Sequence, residues 1–327
     1  MNNFIPIDIF KEIFLLCDFL TKIRFSQVSK FLYNNLHIID YYYIEQKYLL
    51  KLTDNILKNY KFIRCLDAYN NPKIKDVSCM INLKELNASG SSCAIDQSLI
   101  IGLDLIKLNV FDNPKIKDVR WMKNLKELDA SWNSGIDQMA INGLDLIKMN
   151  VRNNPKIRDV SWMKNLKELD ASGSSGINQF GITGMDLIKL DAWNNPKIKD
   201  VSWMENLKEL DASRGSEIDQ IGINGLNLIK LDANNNSKIK DVSWMQNLKE
   251  LDASGSSGIN QLGIKRLDLI KLDVCNNPKI IDVSWMFNLK KLDASRNSGI
   301  DQLGIKGLNL IKLNSWNNPK ITDVSFL

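Results

Sequence analysis

The sequence predicts an α/β repeat fold: a solenoid of stacked turns with a parallel β-sheet on its concave face and short extended or 3₁₀ segments outside. A small α-helical domain precedes it. Three observations predict this fold. A stretch typified by residues 187–198 recurs seven times between residues 63 and 321, and a related stretch typified by residues 166–177 alternates with it. The apolar anchors step by 20 or 21 residues, with one step of 22. Residues 4–36 lack the repeat and place apolar residues at helical spacing.

We call the two alternating stretches odd and even turns, thirteen in all. Their anchors are Leu66, Leu86, Leu108, Leu128, Met149, Leu169, Leu190, Leu210, Leu231, Leu251, Leu272, Leu292 and Leu313. A period near 20 residues with apolar first, fourth and sixth places, followed by Asn and Ile, is typical of a leucine-rich repeat. One turn cannot bury its apolar edge alone, whereas stacked turns bury a continuous core.

Each turn is expected to contribute one short strand, because Leu190-Asp191-Ala192 alternates with the period of a strand. The side chains expected to point inward are Leu187, Leu190, Ala192, Ile198 and Val201 in an odd turn, and Leu207, Leu210, Ala212, Ile218, Ile221 and Ile223 in the next even turn. Asn195 and its equivalents are expected to satisfy backbone groups of the corner, and Asp200 and its equivalents to cap a turn. We interpret these polar positions as scaffold.

The composition argues against an enzyme. The chain has one histidine, His37, outside the repeats, so a histidine-dependent nucleophile or a His-rich metal site is not expected. The Gly173–Gly176 stretch lacks the lysine of a phosphate loop. We therefore predict no catalytic residue, no cofactor and no metal. The five cysteines show no metal or disulfide spacing, which indicates a reducing compartment. The chain shows no signal peptide and no membrane span, so we expect a cytoplasmic or nuclear protein that does not engage membranes.

Charged residues form three rows. Lysines flank the inward Ile of the odd turns, for example Lys197 and Lys199, and build a Lys ribbon. This ribbon is either a solvated face or a surface for an acidic partner; nucleic acid is not the partner we expect. A second row alternates Lys and Glu, as at Lys189 and Glu209, and these side chains are expected to pair. A third row is Asp or Asn in every turn, and structure and recruitment remain equal alternatives for it.

Recognition is expected where the copying fails, because binding needs variable side chains on a fixed frame. Aromatic and Arg residues dominate binding hot spots. The predicted partner-binding residues are Tyr69, Phe111, Trp132, Arg152, Trp193, Arg214, Arg296 and Trp316. By contrast, Trp121, Trp162, Trp203, Trp244 and Trp285 recur at one outer place and are interpreted as packing.

The first residues carry a further pattern. Ile5-Pro6 is followed by an acid at Asp8, by the pair Ile13-Phe14, and by Phe25-Ser26-Gln27-Val28-Ser29-Lys30. This segment resembles the F-box, with Ser29 where the family often has Cys. An F-box followed by leucine-rich repeats is a known order in that family and also occurs in large DNA viruses of amoebae (mimivirus-like), whose Asn, Lys and Ile bias this chain shares. A viral chain would act in the cytoplasm or nucleus of its host cell.

The resemblance implies that this chain recruits a protein substrate to a cullin-based ubiquitin ligase. Its F-box would dock on the Skp-type adaptor through Ile5, Pro6, Ile9, Ile13, Phe14 and Val28. The domains expected are an F-box-like domain at 1–36, a cap of two helices at 37–62 and the repeats at 63–327. Two alternatives stay open: the first helices only cap the solenoid, or the chain is a scaffold without a ligase role that grips an acidic partner or nucleic acid through the Lys ribbon.

Overall fold

The computed structural model describes residues 6–42, 44–57 and 62–324. It forms two compact units, Met1–Leu144 and Asp145–Leu327. The predicted adaptor-binding residue Ile5 lies outside the described residues.

The first unit begins with short helices. They are α1 (Ile7–Leu16), α2 (Phe19–Gln27), α3 (Lys30–Asn35), α4 (Gln46–Leu49) and α5 (Asp54–Leu57). Side-chain caps begin two of them: Asp18 accepts from the backbone N–H of Thr21, and Ser29 accepts from that of Leu32. The described part of residues 37–62 holds the single-turn helices α4 and α5 and also a strand that was not predicted, β1 (Asp40–Tyr41).

Parallel strands follow in each unit. The first unit continues with β2 (Cys65–Asp67), β3 (Glu85–Asn87), β4 (Lys107–Asn109) and β5 (Glu127–Asp129). The second contains β6 (Lys148–Asn150), β7 (Glu168–Asp170), β8 (Lys189–Asp191), β9 (Glu209–Asp211), β10 (Lys230–Asp232), β11 (Glu250–Asp252), β12 (Lys271–Asp273), β13 (Lys291–Asp293) and β14 (Lys312–Asn314). Within each unit every strand pairs with the next one along the chain, and anchor faces anchor, as Leu190 faces Leu210. One strand per turn is thus confirmed.

Strand β1 closes the first edge of this sheet. Tyr41 pairs with Leu66 of β2 and is 2% exposed. An uncovered edge strand would present unpaired backbone groups to other chains. Two residues are too few to show a strand period, which is why the sequence did not reveal β1.

The opposite side of each turn has no long helix. Four single 3₁₀ turns lie there, Gln97–Leu99, Met139–Ile141, Phe180–Ile182 and Leu262–Ile264, as a turn of about 20 residues allows. This confirms the expected extended or 3₁₀ outer segments.

The core contains the predicted apolar positions with one exception. Leu190, Ala192 and Ile198 are at most 1% exposed, but Ile221 is 77% exposed, so its inward assignment was wrong. The next residue, Gly222, is the one that lies against the neighbouring turn: a Cβ there would come within 2.1 Å of the carbonyl oxygen of Lys199. Because the backbones approach so closely, Ile221 is directed to solvent.

Buried asparagines close the corners. The Asn195 Nδ2 donates to the carbonyl oxygens of Ala171 (2.7 Å) and Ile177 (3.1 Å), and its Oδ1 accepts from the N–H of Lys197 (3.0 Å). The same pattern recurs at Asn113, Asn236, Asn277 and Asn318. Asp200 caps its turn by accepting from the N–H of Ser202 at 2.9 Å. The scaffold interpretation of both positions is confirmed.

A recurring glutamine also hydrogen-bonds the backbone of the following turn, and this structural role was not predicted from the sequence. The Gln179 Oε1 accepts from the N–H groups of Lys199 (2.9 Å) and Asp200 (3.0 Å), while its Nε2 donates to the carbonyl oxygen of Asp200 (2.9 Å). Gln97, Gln220, Gln261 and Gln302 make the same three contacts. The signal was present in the sequence as a Gln repeated once per pair of turns.

Candidate functional site

The residues that directly follow the strands form what we call the exit edge of the sheet. In odd turns the second residue after the strand is variable, as at Trp193, and the third adopts a positive φ, as at Asn194 (53°). In even turns the variable residue is the third residue after the strand, so it occupies the place that adopts a positive φ. Trp132, Arg214 and Arg296 therefore have φ of 57°, 55° and 59°, where other even turns use a glycine such as Gly173. Such backbone costs about 1–3 kcal/mol for a non-glycine residue and tends to occur at functional sites.

Three of the predicted residues meet in the second unit. The Arg152 guanidinium lies 4.8 Å from the centre of the Trp193 ring, and the Arg214 guanidinium lies 5.7 Å from the same centre. We call this group the Arg–Trp–Arg cluster. The buried Arg152 Nε has no hydrogen-bond partner among the described residues. A buried, unsatisfied donor is uncommon in a folded protein, so Arg152 is poorly explained by stability alone.

The other predicted residues form smaller groups. In the second unit Arg296 lies 5.6 Å from the Trp316 ring, and Trp316 is 66% exposed. In the first unit Phe111 and Trp132 make an edge-to-face contact with ring centres 6.1 Å apart. Tyr69 is half-buried after β2, and its N–H donates to Asp67. None of the eight predicted residues is sealed in the core.

The Lys–Glu row pairs as expected. Its ion pairs join Lys107 to Glu127 (3.3 Å), Lys148 to Glu168 (2.8 Å), Lys189 to Glu209 (3.0 Å) and Lys230 to Glu250 (3.9 Å). These side chains are about half exposed, so each pair contributes little net stability, about 0–1 kcal/mol. The pairing leaves the row without unmatched charge over these strands.

The acidic row differs between odd and even turns. In even turns the carboxylate accepts from a serine hydroxyl and N–H, as Asp211 does from Ser213. In the odd turn of β8, Asp191 accepts the backbone N–H of Trp193 at 2.9 Å. Burial, followed by the neighbouring charges of Asp170 and Asp211, raises the pKa of Asp191 to about 7. Burial and neighbouring carboxylates likewise raise the pKa of Asp232 to about 7 and of Asp273 to about 6.

The repeated tryptophans serve the outer side. The Nε1 of Trp203, Trp244 and Trp285 donates to a backbone carbonyl 18 residues earlier, at 2.9–3.1 Å. These rings are half-buried. The packing role is thereby confirmed for these three tryptophans, which differ from the exit-edge tryptophans in having a fixed structural partner, whereas the buried Nε1 of Trp121 has no partner among the described residues.

The Lys ribbon is partly structural. The Nζ atoms of Lys197 and Lys279 donate to carbonyl oxygens of the preceding turn, at 2.7 and 2.8 Å from those of Ser175 and Ser257. Lys238 instead contacts Glu217. Lys197 and Lys279 are therefore committed to the frame and Lys238 to an ion pair, so the ribbon offers less free charge than its sequence suggested.

The helices of the first unit expose apolar side chains. Ile9, Ile13 and Leu16 are 46%, 47% and 89% exposed along α1, and Val28 is 72% exposed just after α2. Pro6 is exposed as well. Phe14 is the exception among the described adaptor-binding residues, since it is 4% exposed and its ring centre lies 6.3 Å from that of Phe25. Phe14 was predicted to contact the Skp-type adaptor. Because it is buried, it instead packs between α1 and the neighbouring Phe25.

The described residues offer neither a metal site nor a membrane-spanning helix. The described residues contain no group of three or more His, Cys, Asp or Glu that could hold a metal ion. No helix within those residues has the length and apolar character needed to cross a membrane.

Solved structures resemble this chain in fold. The complex of TLR13 with ssRNA13 matches with a TM-score of 0.51 and 18% identity, over 89% of this chain and 52% of that one. The fold is a leucine-rich-repeat fold. Two proteins of Listeria monocytogenes match with lower scores. The internalin InlF of strain 4b F2365 gives 0.47 and 16% identity, over 86% of this chain and 85% of that one. The functional domain of InlJ gives 0.41 and 19%, over 75% and 58%.

These leucine-rich-repeat structures bear on the fold alone, and this chain spans about half of the TLR13 chain. No protein-family model matches the sequence, and neither does any curated protein.

Proposed function

We propose that this chain is a protein-recruiting adaptor of a cullin-based ubiquitin ligase. Helices α1–α3 dock on the Skp-type adaptor, and the leucine-rich repeats hold the target protein. The observation that carries the recruiting half is the Arg–Trp–Arg cluster. Arg and Trp are enriched among the residues that dominate binding energy, and here they lie on a frame held rigid by buried Asn and half-buried Gln side chains.

The ligase half depends on the F-box resemblance of residues 5–30 and on the surface of α1. Ile9, Ile13 and Leu16 are spaced by four and three residues, so they share one helical face. Their exposure leaves that face unpartnered among the described residues. An apolar helical face of this kind is suited to a groove or helix of a partner protein.

A pull-down of the full-length chain with a purified Skp-type adaptor tests the docking half. We expect the wild-type chain to bind and the double variant Ile9→Asp, Ile13→Asp to lose binding at least tenfold. Phe180→Asp is the matched control, because Phe180 is 84% exposed in the second unit and far along the chain from α1. Absence of wild-type binding would contradict the ligase role.

The recruiting half has its own test. Proteins captured by the full-length chain should be lost with Trp193→Ala, and one of them should be ubiquitinated by the reconstituted ligase. Capture that persists unchanged in Trp193→Ala would remove the Arg–Trp–Arg cluster from the binding surface.

The alternative is a leucine-rich-repeat scaffold without a ligase role. The ssRNA13 in the TLR13 structure raises nucleic acid as a partner for this alternative. The commitment of Lys197 and Lys279 to backbone carbonyls counts against the Lys ribbon as a polyanion surface. Binding to polyanions that weakens steeply with salt, together with no adaptor binding, would favour the alternative.

A further inference from the structure

The Lys–Glu row departs from its alternation at Cys65 in the first odd turn and, among the even turns, at one place. Five even turns carry Glu in this row: Glu85, Glu127, Glu168, Glu209 and Glu250. The next even turn carries Lys291 instead.

The break places three lysines side by side. Lys271 of β12 faces Lys291 of β13, and Lys291 faces Lys312 of β14. Neighbouring strands lie about 4.8 Å apart, so the three ammonium groups share one short surface. All three side chains are exposed, and none forms an ion pair with another described residue. We call this group the Lys triad.

The Lys triad is not explained by stability. Like charges directly opposite each other on neighbouring strands are destabilising. Glutamate at position 291 would instead allow the ion pairing seen between Lys189 and Glu209. The chain therefore gives up a favourable arrangement at Lys291, which indicates that the charge is used for something else.

The acidic row changes at the same strands. Its three places there hold Asp273, Asp293 and Asn314, so the last strand lacks a carboxylate. The Asn314 Nδ2 donates to Asp293 Oδ2 at 2.7 Å, and Ser295 donates to Asp293 Oδ1. Hydrogen bonds thus reach both oxygens of Asp293.

These substitutions reverse the local charge. On β12–β14, an odd–even–odd set, the two rows hold three cations and two carboxylates, whereas the matching set β8–β10 holds two cations, Lys189 and Lys230, and four carboxylates. The Lys triad, the three residues of the acidic row and the intervening leucines line a cleft of about 460 Å³. The cleft is therefore a positively charged end on an otherwise acidic sheet face of the second unit.

We propose that the Lys triad binds an acidic peptide segment of a protein partner, with Asp or Glu side chains of that segment on the ammonium groups of Lys271, Lys291 and Lys312. The inference rests on the proposed role of the sheet face in holding a target protein. It does not depend on the ligase role. It adds the chemical class of the bound segment.

A peptide fits this surface better than a phosphate backbone does. Asp273 and Asp293 lie in the row beside the lysines, and they repel a ligand that carries a charge on every nucleotide. A peptide presents both kinds of group: acidic side chains for the lysines, and backbone N–H donors for the carboxylates. Three lysines are also few for nucleic acid, whose affinity grows with the number of phosphates neutralised.

The test is fluorescence anisotropy on the full-length chain at low salt with a labelled peptide of alternating Glu and Gly, whose acidic side chains are separated by uncharged residues. Lys291→Glu should weaken binding at least tenfold, because it restores the Glu found in the other even turns and pairs the neighbouring lysines. The same variant should keep or raise the Tm. A Lys291→Glu chain that binds the peptide as tightly as wild type would overturn the proposal.

Lys189→Gln is the matched control. It removes one lysine of the same row that is already paired, with Glu209 at 3.0 Å, and should change peptide affinity less than twofold. If both variants weaken binding equally, the effect is general charge and the proposal fails. If a single-stranded RNA of equal charge binds more tightly and loses affinity through Lys291→Glu, the surface is a nucleic-acid site and the peptide proposal is overturned.

The same variants separate this proposal from the ligase role. Lys291→Glu should leave the pull-down with the Skp-type adaptor unchanged, because position 291 is not part of α1–α3. Loss of peptide binding with adaptor binding intact supports the Lys triad as a separate site. A wild-type chain that binds the adaptor but not the peptide would overturn the proposal for the Lys triad and leave the ligase role standing.

Discussion

The Arg152 guanidinium stacks on the indole of Trp193, 4.8 Å from the ring centre, across two odd turns of the second unit. Neither residue is repeated in the odd turns before and after this pair, which carry Phe111 and Asn234 at this place. An exposed cation–π contact is worth about 0.5–1 kcal/mol, which is too little to explain a residue whose Nε is left buried and unpaired. The contact instead fixes two side chains of the kind that dominate binding surfaces.

Trp193→Ala and Trp203→Ala should separate binding from stability. Trp193→Ala removes half-buried ring area and the contacts with two arginines, so the free energy of unfolding should fall by about 1–2 kcal/mol, less than for Trp203→Ala, while target binding drops. Trp203→Ala loses half-buried ring area and the hydrogen bond to the Met185 carbonyl, so it should cost about 2–4 kcal/mol in stability. Urea unfolding and a binding assay on the same samples check this. The reverse pattern would mean that the two kinds of Trp have been assigned to the wrong faces.

Arg214→Gly should relieve the corner after β9. Arg214 has a φ of 55°, and Gly173 has a φ of 63° at the equivalent place two turns earlier. Because glycine adopts this backbone without steric cost, we expect the stability to be kept or to rise by up to about 1 kcal/mol, with weaker target binding. Urea unfolding measures the first effect. A large loss of stability would show that Arg214 is there for the fold.

Asp191→Asn should change stability in a pH-dependent way. The pKa of Asp191 is raised to about 7 in the folded chain, against about 3.9 when unfolded, so the folded state binds the proton more tightly. Stability from this proton is full below about pH 4 and is lost as the pH rises through about 7. The amide keeps an acceptor for the Trp193 N–H and carries no charge, as Asn150 does on β6.

We therefore expect Asp191→Asn to stabilise the chain at pH 8 and to have little effect at pH 4, near the unfolded pKa. Urea unfolding at both pH values measures the difference. Neighbouring Asp211 and Asp232 share the titration, so the transition should be broad. An equal effect at both pH values would disprove the raised pKa.

Asn195→Ala should destabilise the second unit strongly. It removes the donor to the Ala171 and Ile177 carbonyls and the acceptor of the Lys197 N–H, all of them away from water. A buried polar group left unpaired costs about 1–3 kcal/mol, so a loss of at least about 3 kcal/mol is expected. Asn194→Gly is the control, since it changes the exposed neighbour at a φ of 53° that glycine tolerates. Equal unfolding midpoints for the two variants would refute the structural role of Asn195.

The sequence by itself determined the repeat, because every turn must bury the same apolar places against its neighbours. Leu190, Asn195 and Asp200 could be assigned from their recurrence alone. It also identified Trp193 and Arg152 as residues that differ from the repeat. It did not show that they are in contact, because two turns separate them along the chain.

The tertiary structure decided what depends on register between turns. It directed Ile221 outward, because the backbone at Gly222 approaches the preceding turn too closely for a side chain to point inward. It buried Phe14, whose helical spacing alone did not distinguish the inner from the outer face of α1. It also brought Lys271, Lys291 and Lys312 side by side. A sequence shows which residues differ from the repeat, whereas only the pairing of strands shows which of those differences share one surface.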